Sequence, residues 1–185
     1  MGITLLTMLS ISLLHEAHLK HDKKLQRHLI VFCYIADMKK LHYKVTIKAP
    51  KQKVWDIMLD DLTYREWTKI FNPNGGTYFE GKWEEGETIR FLIPATNGKI
   101  TGMYSRVATL KSYEFISLEH LGEVSDGNET PWPSSEEKMF ENYTFTEHKG
   151  ITELQVTMDC KEEHKAMFES SWPIALKKLK TLSEE

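Results

Sequence analysis

The chain has 185 residues, 41% hydrophobic and 28% charged, with a formal net charge of -3 at pH 7. This is room for one domain with a real core and short for two; it excludes a disordered chain, and the lack of a basic block argues against a nucleic-acid partner. Cys33 and Cys160 stand far apart, which excludes a disulfide framework and fits reduced thiols in a cytoplasmic protein.

Residues 1–14 (MGITLLTMLSISLL) are apolar, 15–28 (HEAHLKHDKKLQRH) are charged and His-rich, and a second apolar run (LIVFCYIA) follows. The first run is too short to span a bilayer comfortably, so no integral membrane span is expected. It lacks the basic lead and small-residue cleavage site of a signal peptide, and the residues after Gly2 do not make a myristoylation signal. His15, His18 and His21 recur every third residue, which drifts around a helix instead of gathering ligands on one face, so no metal is assigned to them. Met38 opens MKKLHYKVTIKAP, which reads as a complete domain start. The expectation is an N-terminal extension over 1–37, with Met38 the natural initiator, and one domain over 38–185.

Leu41, Tyr43, Val45 and Ile47 alternate with polar residues and predict a strand with one buried face. APKQKVWDIML follows as a short helix, with Pro50 in its first turn and Val54, Trp55 and Met58 on one face. DLTYREWTKIF predicts a second short helix, capped by Asp61, with Trp67, Ile70 and Phe71 inward. NPNGG breaks the pattern. Six strands are then expected in TYFEGKW, ETIRFLIP, KITGMYSRVATL, YEFISLEHLG, ENYTFTEH and TELQVTMDC. Most are joined by hairpin-length turns, hence an antiparallel sheet. One acidic loop, EVSDGNETPWPSSEEK, is long enough to carry function or to be mobile.

The terminal segment is helical by period: Phe168, Trp172, Ala175, Leu176, Leu179 and Leu182 fall at three- and four-residue steps. Pro173 lies within it. Either one helix bends near Trp172 to follow a curved sheet, or a second helix opens with Pro173 at its first position. The first is the expectation, with Trp172 at the rim of a cavity. The fold class is therefore α+β: a seven-stranded curved antiparallel sheet, two short helices after the first strand, and a long C-terminal helix covering the apolar face. A space between sheet and helix is a natural ligand cavity.

Local chemistry is sparse. There is no G-x-S-x-G, C-x-x-C or H-E-x-x-H, and Gly75-Gly76 is a turn, not a phosphate cradle. Cys160 and His164 straddle a strand-to-helix turn and do not read as a dyad. No catalytic residue, metal or cofactor is assigned. Tyr104, Arg106, His120 and Tyr143 lie on strands where they could converge inside. Arg106 is expected at the surface or paired with Glu119, whereas His120 shares the period-two face of Ile116 and Leu118.

The ordered set VTIKAPKQKVWDIMLD, REWTKIF, EHLGEV, ENYTFTE and GITELQV, with Trp172, Leu176, Leu179 and Leu182, resembles the START-related, birch-pollen-allergen-like (SRPBCC) superfamily with its helix-grip fold. Within it the chain is most similar to bacterial relatives of the C-terminal domain of the activator of heat-shock protein 90 ATPase. The resemblance spans about residues 40–183. It implies a protein that binds a hydrophobic small molecule or lipid in the cavity. A co-chaperone-like activator of that ATPase is the first alternative, and a cyclase or dehydratase acting on aromatic or polyketide substrates the second. Partners implied are the small molecule or lipid and, under the first alternative, a chaperone, with the protein a monomer or homodimer. Most aromatics are expected to be core. The candidate ligand-lining residues are Trp67, Phe71, Phe168 and Trp172 near the mouth, with Phe91, Tyr104, His120 and Tyr143 on the strands.

Overall fold

In the computed structural model, which describes residues 38–73, 75–95, 97–133 and 138–185, the alternating run that opens the domain is strand β1 (Met38–Ile47). The predicted extension over 1–37, with its histidines and Cys33, lies outside the described residues. Helix α1 (Lys51–Leu59) buries Val54, Trp55 and Met58. Pro50 sits at its N-cap and offers no side-chain cap; the Lys51 amide instead donates to the Glu147 carboxylate at 2.9 Å. Helix α2 (Asp61–Trp67) is capped one residue earlier than the sequence suggests. The Asp60 carboxylate accepts from the Leu62 and Thr63 amides at 3.0 and 3.2 Å, because Asp60 is extended while Asp61 is already helical. Asp61 pairs with Arg65 one turn on, at 3.0 Å. A 3-10 turn (Lys69–Phe71) follows.

The remaining strands are β2 (Tyr78–Gly81), β3 (Thr88–Pro94), β4 (Ile100–Lys111), β5 (Phe115–Ser125), β6 (Asn128–Pro131), β7 (Met139–His148) and β8 (Ile151–Lys161). They form one sheet in the order β1-β8-β7-β5-β4-β3-β2, with β6 paired to β5 off this path. Neighbours from β2 to β8 run antiparallel. The acidic stretch expected as one long loop thus begins as a hairpin. β5 runs on to Ser125 and turns through Asp126 (φ 49) and Gly127 (φ 81) into β6, a two-residue loop with both residues left-handed.

Two register shifts between β4 and β5, at Tyr104/Ser105 and Val107/Thr109, are bulges of the kind that bend a sheet. The bent region leaves no room for a side chain at Gly122. A Cβ there would meet the Thr130 carbonyl oxygen and stand 2.6 Å from the Tyr104 ring. Gly122→Ala is expected to destabilise the fold by about 2 kcal/mol, the usual scale of overpacking. A urea midpoint unchanged from the parent would refute the close approach.

Helix α3 (Glu162–Glu184) runs unbroken through Ser170, Ser171 and Pro173, so the single-helix expectation holds. Trp172, Ala175, Leu176 and Leu179 are its buried stripe, with Phe168 and Leu182 half-buried against the same core. Its far end is moored to the end of β1. Glu184 accepts from the Lys48 amide at 2.6 Å, and Lys180 donates to the Thr46 carbonyl at 2.5 Å. The main core fills the space between α1, α2, α3 and the inner face of the sheet. A smaller cluster of Leu92, Tyr104 and Val124 lies apart from it.

Candidate functional site

The inner face follows from the register. Ile116 faces Tyr143, Leu118 faces Glu141, and His120 faces Met139 across β5 and β7; directly opposed residues share a face. Since Ile116, Leu118 and Tyr143 are core residues, Glu141 and His120 point inward too. On the other side of β5, Ser105 opposes His120. Four polar groups therefore meet inside an apolar sheet. Ser105 Oγ and His120 Nδ1 are hydrogen-bonded at 2.9 Å, and the Tyr143 hydroxyl donates to Glu141 Oε1. His120 Nε2 stands 3.9 Å from Glu141 Oε2.

Burial sets the protonation of this cluster. It pushes the His120 imidazole down to about 4 and the Glu141 carboxyl up to about 7, because each loses hydration of its charged form. The Tyr143 and Tyr64 phenols are pushed up for the same reason, with the Glu141 charge adding to both. At neutral pH the imidazole is uncharged and Glu141 is divided between acid and carboxylate. The order serine, histidine, glutamate is that of a nucleophile with its base and orienting acid. Yet 3.9 Å is beyond a hydrogen bond, and Ser105 is fully buried. The group forms a buried hydrogen-bonding wall.

Above this wall lies an aromatic layer centred on Trp172. Its ring stacks on Tyr43 at 5.6 Å, meets the edge of Phe71 at 5.5 Å, and touches Trp67 and Tyr143, both at 6.2 Å. The layer continues from Trp67 through Tyr64 to Phe79 and Phe91, and on to Trp83. Trp67 donates its indole N–H to the Met58 carbonyl at 3.1 Å. Three polar tips in the layer differ. Trp172 Nε1, Tyr43 Oη and Trp83 Nε1 are buried with no hydrogen-bond partner among the described residues. Buried polar groups are otherwise almost always paired. Burial also pushes the Tyr43 phenol up to about 12.

Of the residues proposed from sequence, Trp67, Phe71, Tyr143 and Trp172 meet in this layer, and His120 lies in the wall beside Tyr143. Phe91 joins through Tyr64, and Phe168 packs half-buried on the same core. Tyr104 is not with them: it sits in the separate cluster with Leu92 and Val124, its strand partner being Gly122. Arg106 pairs with Glu119, which Lys138 also holds at 2.8 Å. Lys138 and then Arg106 keep that carboxyl below its usual range against the opposing effect of burial. Cys160 is buried, while His164 is exposed and lies 3.6 Å from Glu163. Sequence reasoning missed Glu141, Ser105, Tyr43 and Tyr64. Glu141 was detectable, since it shares the period-two face of Tyr143 and Phe145 in ENYTF, where a charge is out of place.

The rings pack in the space between sheet and helix. Two open grooves lie outside it, one on α1 and one between α2 and α3. Among the described residues no group of His, Cys, Asp and Glu could hold a metal, and no helix is long and apolar enough to cross a membrane.

Three solved structures show the same fold. Protein CV1439 from Chromobacterium violaceum is 19% identical with a TM-score of 0.57, over 80% of this chain and 99% of that one. Protein NE0264 from Nitrosomonas europaea is 12% identical with a TM-score of 0.61, over 77% and 92%. ChR145 from Cytophaga hutchinsonii is 21% identical with a TM-score of 0.56, over 77% and 91%. Among curated proteins none matches. The sequence matches the family described as "Activator of Hsp90 ATPase homolog 1-like protein" over residues 48–184. With a helix-grip sheet closed by α3 and a family match over most of its length, the chain belongs to the Activator of Hsp90 ATPase homolog 1-like family of the SRPBCC superfamily.

Proposed function

We propose that the protein binds a small hydrophobic molecule or lipid between the sheet and α3. The observation that carries this reading is the orphaned indole N–H of Trp172 at the centre of the aromatic layer. A buried donor left unpaired costs about 1–3 kcal/mol, and a ligand acceptor would remove that cost. Tyr43 Oη supplies a second orphan beside it. The Glu141 carboxyl, in its neutral form, is a further donor in the wall below. A neutral aromatic body carrying one carbonyl or ether oxygen suits this set. Such a ligand enters past the half-buried side chains of this layer, among them Tyr43 and Phe71, which meet Trp172, and Phe168 on the same helix.

Among the described residues the serine, histidine and glutamate are not aligned as a nucleophile with its base and acid, which favours binding over catalysis. A chaperone-directed role is the second reading, supported by the family's description alone. Cytoplasmic location belongs to the same proposal.

The test is native mass spectrometry of the full chain with 2-acetonaphthone, against naphthalene as the analogue without an acceptor. A 1:1 complex is expected, with the ketone bound about 5-fold more tightly, the worth of one net hydrogen bond. No complex with either compound would overturn the reading.

A further inference from the structure

The groove between α2 and α3 has a different chemistry from the interior. It is open to solvent, offers about 430 Å³, and is lined by Glu66, Trp67, Lys69, Ile70, Pro73, Ile174 and Lys178. That is the size of a small-molecule site. Ile174 lies off the buried stripe of α3 and is 52% exposed. With Ile70, Pro73 and the edge of Trp67 it makes an apolar floor at the surface. The rim is cationic, two lysines against one glutamate. Lys69 has no ion-pair partner among the described residues. Lys178 reaches Glu66 at 3.5 Å, with both side chains about half exposed, a kind of pair that contributes little and exchanges partners readily.

We propose that this groove is a second binding site, for a small molecule with one carboxylate on an apolar body. The apolar part lies over Ile174, Ile70 and Pro73. The carboxylate sits between the Lys69 and Lys178 ammonium groups as a charge-assisted acceptor. Glu66 competes for Lys178 and weakens the site. A neutral molecule gains only the floor, and a dianion meets Glu66 as well as the two lysines. The site does not depend on occupancy of the interior: its anion specificity is opposite to that of the neutral-acceptor site around Trp172.

Decanoate, with decanol as its neutral counterpart, is titrated into the uniformly 15N-labelled full chain and followed by amide shifts. Decanoate is expected to move the amides of Lys69, Ile70, Ile174 and Lys178, with decanol about 10-fold weaker or more. Lys69→Gln with Lys178→Gln should weaken decanoate about 10-fold, whereas Glu66→Gln should tighten it about 3-fold, each a modest electrostatic increment. These are surface positions, and the spectrum itself reports whether each variant is folded. Shifts confined to β5, β7 and Trp172 would overturn the groove proposal while supporting the interior site. Equal binding by the lysine double variant, or by decanol, would overturn it as well.

Discussion

Trp172→Ala should lower stability by about 3–5 kcal/mol, the range for removing a large aromatic from a packed core. Trp172 is 3% exposed and, among the described residues, is the one ring that touches Tyr43, Phe71, Trp67 and Tyr143 together. Its loss breaks four aromatic contacts and opens a void that α3, moored at Lys48 and Thr46, cannot collapse to fill. A domain of this size has about 5–15 kcal/mol in all, so the variant would lose a large share of its stability. Trp172→Phe separates packing from hydrogen bonding. It keeps most of the ring and removes the unpaired N–H, so its cost should be about 1 kcal/mol, while the preference for 2-acetonaphthone over naphthalene disappears. Urea denaturation with binding on the same samples checks both. A loss below about 1 kcal/mol for Trp172→Ala would remove Trp172 from the centre of the core.

The second large effect is a pH dependence that the native pair conceals. Glu141 goes from an ordinary 4.5 to about 7 on folding, and His120 from 6.5 to about 4, both through burial. A raised carboxyl means the folded state holds the proton longer, so its contribution is intact below 4.5 and is lost as pH rises through 7. A lowered imidazole means the folded state gives up its proton earlier, so its contribution is intact above 6.5 and is lost as pH falls through 4. Between pH 4.5 and 6.5 the unfolded chain carries imidazolium and carboxylate, and the folded chain carries both groups neutral. The proton counts are equal and the two slopes cancel.

Each single substitution exposes the other slope. Glu141→Gln leaves His120 alone, and stability should then rise with pH from about 4 to 6.5 at up to ~1.4 kcal/mol per unit. His120→Asn leaves Glu141 alone, and stability should fall with pH from about 4.5 to 7 at a similar rate. Surface carboxylates such as Glu153 and Glu184 contribute equally in all three proteins, so the differences isolate the pair. Parallel stability curves for the parent and both variants would show that these groups are not buried together.

The architecture was legible because its signals are local and repeated. Alternation in β1 marked Leu41, Tyr43, Val45 and Ile47, and three- and four-residue steps marked the stripe of α3. Strand β6 was hidden because Asn128, Glu129, Thr130 and Pro131 are all exposed and carry no apolar alternation, so only the Asp126-Gly127 turn betrays it. The cap of α2 was misplaced by one residue because two aspartates adjoin and only backbone angles distinguish them.

The site was legible in part. Aromatic residues announce a core wherever they stand, so Trp67, Phe71, Tyr143 and Trp172 were found without knowing which of them touch. Tyr104 shows the limit. The bulge at Tyr104/Ser105 interrupts the alternation, and no pattern in one sequence gives the register at which a bulge falls. The same bulge places Ser105 against His120, a contact fifteen residues apart in sequence and formed only by the sheet.

The most direct measurement is the indole N–H resonance of Trp172, assigned by its absence from the spectrum of Trp172→Phe and followed as 2-acetonaphthone is added. Binding in the interior predicts a saturable downfield shift of that resonance, as the orphaned donor gains an acceptor. A Trp172 resonance that stays fixed while the ketone binds elsewhere would contradict the account.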